Sequence, residues 1–329
     1  MEAAPKPILR IGSAAALPAP LRGGVVAIGN FDGVHRGHQA VIDTARAIAE
    51  AEGRPLICLT FEPHPRTVFR PQAPVARLTP APMKARLLSA LGVEAVVEQP
   101  FDLEYASHPA ETFVEETLHR DLGAAHVVAG FDFRFGARRH GDLPFLREAS
   151  VRMGFAVTAV EAFADEGALV VSSSRIREDL MNGDVAAAAG LLGYRWTFEG
   201  VIGHGAKLGR TLGYPTANMV LGEDCVLAHG IYAVRLRRAD GSLHDGVASF
   251  GRRPTFDNGA ALFETYLFDF SGDLYGEAAS VSLFGFIRGE EKFDSVEALV
   301  KRMDRDAEEA RALLSGARPL SALDGAIAF

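Results

Sequence analysis

A doubly wound parallel α/β sheet followed by a small antiparallel β-barrel with a covering helix is the fold that the sequence predicts. Three observations lead there. The chain has 329 residues, more than one hydrophobic core comfortably serves. From Gly24 to Ala162, short β-branched runs alternate with helical patterns, which demands crossover connections and parallel strands. After Ala188 the texture changes to successive strands with turn residues between them.

The elements of the first half follow in order. Val25 to Gly29 reads as a strand, and Gln39 to Glu52 as a helix with Val41, Ala45 and Ile48 on one face. Leu56 to Phe61 is a second strand. Thr79 reads as an N-cap before Pro80, opening a helix through Leu87, Leu88 and Leu91. Glu94 to Glu98 is strand, and Ser107 reads as the cap of a helix carrying Phe113, Val114, Thr117 and Leu118. His126 to Ala129 and Phe155 to Val160 complete the strands. Ligands of such a sheet bind at the carboxyl ends of its strands.

In the second half, strands are expected at Thr197 to Ile202, Gly230 to Arg238, His244 to Phe250, Ala261 to Phe270 and Ala278 to Ile287. Asp240-Gly241 marks a hairpin. Ser295 caps a helix reaching about Leu314. Helical residues Ile176 to Leu192, broken at Asn182-Gly183, form the junction. The expected organisation is a tail over residues 1–20, a first domain over 21–188 and a second over 189–329.

Composition narrows the function. Apolar residues make up 48% and charged residues 23%, a soluble globular balance. The formal net charge of −8 disfavours nucleic acid or an anionic membrane as a partner, since both need a basic surface. Cys58 and Cys225 give neither a disulfide framework nor a metal-binding spacing and read as buried apolar residues. No apolar run approaches the ~20 residues of a membrane span, and the N-terminus lacks a signal-peptide core. The cytoplasm is the expected compartment.

Two segments carry chemistry. The first runs from Gly29 through Asn30, Phe31, Asp32, Gly33, Val34, His35, Arg36 and Gly37 to His38, between a strand and a helix. Its glycines let the backbone approach a ligand, and the helix start offers N–H groups to phosphate. It is not the dinucleotide fingerprint, whose glycine spacing differs. His35 and His38 can donate hydrogen bonds to phosphate oxygens where transition-state charge builds, although a plain strand-to-helix turn also fits. A zinc site lacks a third ligand at suitable spacing. The second segment, Gly200 to Arg210, runs on into Thr211-Leu212-Gly213-Tyr214-Pro215-Thr216-Ala217-Asn218. It is no P-loop, because Gly-Lys-Ser/Thr is absent at the required spacing.

Taken with Thr60-Phe61-Glu62-Pro63-His64-Pro65, Gly130-Phe131-Asp132-Phe133-Arg134-Phe135-Gly136 and Ser172-Ser173-Ser174-Arg175-Ile176-Arg177, the first segment resembles a known family. That family is the prokaryotic bifunctional riboflavin kinase/FMN adenylyltransferases, or FAD synthetases. The resemblance implies a Rossmann-like nucleotidyltransferase domain in which Gly29, Phe31 and Gly33 contact the nucleotide and His35 and His38 hold the ATP phosphates. It places Asp132 near the nucleotide or metal, and Ser173, Ser174 and Arg177 on the phosphates from the far side of the cleft. Ser174 and Glu62 depart from the more usual Thr and Asp, keeping hydroxyl and carboxylate.

The Pro-Thr-Ala-Asn run likewise resembles the flavokinase signature. It implies that Thr216 and Asn218 face Mg²⁺ and the ATP phosphates, with Gly203, Gly205, Lys207 and Arg210 in the nucleotide loop. Oxygen donors of this kind suit a hard cation. His229-Gly230-Ile231-Tyr232, Gly246-Val247-Ala248 and Phe263-Glu264-Thr265-Tyr266 extend the resemblance, which makes Glu264 the general base toward the ribityl hydroxyl. Ser249-Phe250 stands where the family commonly has Asn-Ile. The implied substrates are riboflavin, FMN and ATP. An FAD synthetase with an inactive kinase module would be expected to have lost Thr216, Asn218 or Glu264, and a flavin- or nucleotide-sensing protein without turnover the histidines or Glu264; all of these residues are present.

Overall fold

The computed structural model describes residues 8–204, 214–222, 224–252 and 261–329. The chain forms two compact units, Met1–Ser172 and Ser173–Phe329.

The first unit is built on a six-stranded parallel sheet. Its strands are β1 (Leu9–Ile11), β2 (Val25–Ile28), β3 (Leu56–Glu62), β4 (Ala95–Pro100), β5 (His126–Gly130) and β6 (Ala156–Val160). They lie in the order β1-β4-β3-β2-β5-β6. Strand β2 pairs with β3 on one side and β5 on the other, so the winding reverses between β2 and β5. This is the switch point at which open α/β sheets bind ligands. Every residue of β2 is buried, as expected of a central strand covered on both faces.

Several local expectations change. Leu9–Ile11, read as tail, adds an edge strand on β4; three residues are too few to show a period. The helix Arg36–Glu52 starts earlier than expected, because the His35 ring caps it by accepting the His38 N–H. Thr79 does not cap the helix Ala81–Ala90, whose N-cap position is Pro80 with no side-chain bond. The Thr79 hydroxyl instead accepts the Gly33 N–H at 2.9 Å, a distant donor no local pattern reveals. Ser107 ends the helix Leu103–Ser107 and donates to the Glu104 carbonyl rather than opening the next helix. The helix Leu143–Met153, capped by Asp142, was not anticipated.

The second unit begins with the helices Ser173–Met181 and Val185–Leu192, separated at Asn182–Gly183 as expected. Six antiparallel strands follow: β7 (Thr197–Val201), β8 (Thr216–Val220), β9 (Gly230–Arg237), β10 (Leu243–Arg252), β11 (Ala261–Leu267) and β12 (Ala278–Arg288). Their order is β7-β12-β9-β10-β11-β8. The two edges meet where the Gly203 N–H donates to the Asn218 carbonyl at 2.8 Å, nearly closing a barrel. Strand β8, the Thr-Ala-Asn segment, adds a sixth strand to the five expected. Phe198, Tyr232, Phe250 and Phe263 fill the interior, with Phe198 and Phe263 edge to face at 4.9 Å.

The helix Val296–Ser315, capped by Ser295, lays Ala310 and Leu314 against Ala233, Val247 and Phe268 on the outer face. A further helix, Ala322–Ala328, inserts Asp324. This fully buried carboxylate accepts N–H bonds from Arg195 and Leu320 and pairs with the Arg195 guanidinium. Asp324→Ala leaves that guanidinium buried without its carboxylate. It is expected to destabilise the second unit by about 3–5 kcal/mol, read from urea denaturation.

Candidate functional site

In the first unit the glycine turn leaves β2 at the switch point. Gly29 lies over the face of Phe31, whose ring carbons would stand 3.2–3.4 Å from any added Cβ. Phe31 and Val34 both hold left-handed backbone (φ 48° and 39°), and both side chains are fully buried. Such conformations cost non-glycine residues roughly 1–3 kcal/mol each and need surrounding structure to hold them. Gly33, at φ 91°, adopts a conformation that only glycine takes easily.

His35 and His38 are brought together as the sequence suggests. Their rings stack at 3.7 Å with 15° between planes, and Phe31 meets His38 edge-on at 5.4 Å. Nδ1 of His35 accepts the backbone N–H of His38 at 3.3 Å, which leaves the ring proton on Nε2. Nδ1 of His38 is buried with no hydrogen-bond partner among the described residues. Burial, then the neighbouring His35 and Lys84, holds the His38 pKa well below 6.5. A neutral His38 is what close ring stacking requires. Asp132 is exposed just past the carboxyl end of β5, the strand beside β2.

Behind the turn lies a charged cluster that sequence reasoning missed. Glu62 takes both guanidinium nitrogens of Arg77 at 2.8 Å and the Lys84 ammonium at 2.8 Å. Lys84 also donates to Thr60 at 3.1 Å and is 1% exposed. Asp32 Oδ1 accepts the N–H groups of Leu78 and Thr79 at 3.0 and 3.1 Å, with Arg77 Nε at 3.7 Å. One signal was available: Lys84 shares its helix face with Leu87 and Leu88, where a lysine must find a buried partner. Burial alone would raise the Glu62 carboxyl, but Arg77 and Lys84 outweigh it and hold it at about 2.

Ser173, Ser174 and Arg177 stand on the helix Ser173–Met181, which groups with the second unit. Gly205, Lys207 and Arg210 lie outside the described residues.

In the second unit, strand register makes the site. Asn218 on β8 faces Glu264 on β11, and Glu264 faces Ser249 on β10. Directly opposite residues share a face, so these three form one row on the barrel's outer side, away from Phe263. Thr216, Tyr266, Val247 and Ala233 form the next row, and the helix Val296–Ser315 packs on that same face. Glu264 is half-buried. The side-chain oxygen of Asn218 is buried without a hydrogen-bond partner among the described residues, while its amide nitrogen donates to the Thr216 carbonyl at 3.3 Å. Tyr214 donates its hydroxyl to Asp304 of the helix and meets Tyr266 edge-on at 4.7 Å.

Two families match the chain: FAD synthetase over residues 17–175 and riboflavin kinase over residues 192–314. A bifunctional riboflavin kinase/FMN adenylyltransferase of Haemophilus influenzae is 39% identical over 295 residues, covering 90% of this chain and 96% of its own. The chain belongs to that family. The relative from Pseudomonas fluorescens is 41% identical over 293 residues, covering 89% of this chain and 93% of its own. The Escherichia coli K12 member is 36% identical over 301 residues, covering 92% and 96%. A solved Streptococcus pneumoniae structure described as a macrolide-efflux protein superposes with a TM-score of 0.81 at 32% identity, covering 93% of this chain and 99% of its own. Among the described residues no helix is long and apolar enough to cross a membrane.

The family match over 17–175 contains both histidines, Asp132, Ser173 and Ser174 and stops short of Arg177. The riboflavin kinase match contains Gly203, Thr216, Asn218 and Glu264.

Acid should loosen the first unit in two stages. His38 has a folded pKa below its unfolded 6.5, so unfolding takes up a proton and stability falls as pH drops below about 6.5. Glu62 is depressed from 4.5 to about 2, so its contribution stands above 4.5 and is lost between those values. Denaturation midpoints across pH should show both slopes, with His38→Asn removing the upper and Glu62→Gln the lower.

Proposed function

We propose that the two sites divide two consecutive reactions between them. The protein phosphorylates riboflavin with ATP to give FMN and ADP, then transfers AMP from a second ATP to FMN, giving FAD and pyrophosphate. Two family matches on one chain, one for each half, carry this conclusion.

In the kinase step the riboflavin hydroxyl oxygen bonds to the γ-phosphorus as the bond to ADP breaks, and Glu264 takes the released proton. Its position in one row with Asn218 supports that role, because substrate hydroxyl and phosphate must meet there. Mg²⁺ fits the donors present: Asn218 offers a buried oxygen with no partner among the described residues, and Thr216 precedes it by two residues on the same face of β8. When bound, the ion would neutralise phosphate charge. Gly203 and, outside the described residues, Gly205, Lys207 and Arg210 would hold the nucleotide.

In the adenylyl step an FMN phosphate oxygen bonds to the α-phosphorus as pyrophosphate leaves. No covalent protein intermediate is needed, so position and hydrogen bonding supply the catalysis. His35 would donate from Nε2, consistent with its occupied Nδ1, and His38 would donate to the same phosphates. Gly29, Phe31 and Gly33 shape the turn. Asp132 would hold the nucleotide or metal, and Ser173, Ser174 and Arg177 would add phosphate donors, Arg177 through its planar fork.

Riboflavin, ATP and Mg²⁺ given to the purified protein should yield FMN and then FAD by chromatography. FMN without FAD would contradict the assignment of the first unit; FAD only from added FMN would contradict the second. Glu264→Ala should lower phosphorylation by about 10²-fold or more while adenylylation of added FMN persists. His38→Ala should do the reverse, by about 10²–10³-fold.

A further inference from the structure

We infer that Thr79 is a positioning residue for adenylyl transfer, its hydroxyl clasping the glycine turn that carries the two histidines. The inference rests on the first unit being the adenylyl-transfer site. Thr79 is fully buried and therefore touches no substrate. Its contacts are with the turn, 46 to 48 residues earlier in the chain. The Gly33 N–H donates to Thr79 Oγ1 at 2.9 Å, and the Thr79 hydroxyl reaches back to the Phe31 carbonyl at 3.5 Å. Asp32, between them, accepts the N–H groups of Leu78 and Thr79. The exchange is reciprocal: backbone of the turn to a side chain of the 77–79 segment, and side chain of the turn to its backbone.

The clasp spans the most strained part of the turn. Phe31 and Val34, on either side of Asp32 and Gly33, both hold left-handed backbone. His35 follows Val34 directly and fixes the start of the helix through His38. A change of backbone at Gly33 would therefore swing both imidazoles.

The 77–79 segment can act as a fixed jaw because it is itself tied down. Arg77 is held by Glu62 at the end of β3, and Lys84, just beyond, grips the same carboxylate and Thr60. Arg77 also donates to the Thr79 carbonyl at 3.4 Å. Thr79 thereby links a rigid strand end to a turn that has no intrinsic preference for its shape.

The test uses the full-length enzyme, whose riboflavin phosphorylation serves as an internal control of integrity. Thr79→Val keeps shape and volume and removes the hydroxyl; Thr79→Ser keeps the hydroxyl and removes a methyl. Thr79→Val should lower kcat for adenylylation of FMN by roughly tenfold or more, with KM for FMN changed much less. Thr79→Ser should stay within about threefold of the parent, and phosphorylation of riboflavin should be unchanged in both. Full adenylylation in Thr79→Val, or equal losses in both variants, would overturn the inference in favour of packing alone. If Thr79→Val does not fold, hydrogen exchange on the unsubstituted protein decides: a protected Gly33 amide supports the clasp and a rapidly exchanging one overturns it. An unsubstituted enzyme that made no FAD from FMN would instead overturn the assignment of the unit.

Discussion

Glu62 is the carboxylate to which the architecture of the first site returns. Its two oxygens take the fork of Arg77 and the ammonium of Lys84, so three charges share one largely buried cluster. A buried charge of this kind is tolerable only when each partner stays in place, because removing one strands the others. That requirement makes the cluster stiff. Arg77 fixes the segment that meets the turn, Asp32 receives that segment's N–H groups, and the histidines follow within a few residues. The turn that carries the histidines leans on a cluster of partly and fully buried charges.

The second unit reaches a comparable end by register. A closing barrel has a seam, and here the seam joins Gly203 to Asn218. Because side chains opposite one another across antiparallel strands share a face, Asn218, Glu264 and Ser249 are set side by side without any contact between their side chains being required. The covering helix packs on the same outer face through Ala310 and Leu314. Glu264 is left half-buried on that face.

Much of this was legible in the sequence. Alternating strands and helices gave the parallel sheet, and the strand-to-helix glycine segment held the histidine pair; Glu264 came with the family resemblance, and its row with Asn218 and Ser249 only with the strand register. What escaped had a common cause. Local patterns favour Thr79 and Ser107 as helix caps, yet the Thr79 hydroxyl meets its donor in Gly33, far away in the chain. The cap on the helix after the turn is an imidazole, which standard capping preferences do not suggest. Strand β1 was too short for any period to show, and β8 was hidden inside a motif read for its chemistry. The ion cluster was signalled only by a lysine on an apolar helix face. Long-range polar partners leave no periodic trace.

The pairing of Arg195 with Asp324 spans 129 positions and bears on how the protein emerges from the ribosome. The strands of the parallel sheet have all left the exit tunnel well before Asp324 is synthesised, so the first unit can fold early on the nascent chain. The barrel cannot neutralise its buried guanidinium until that late aspartate arrives. Newly made molecules would thus acquire their adenylylating half before their phosphorylating half.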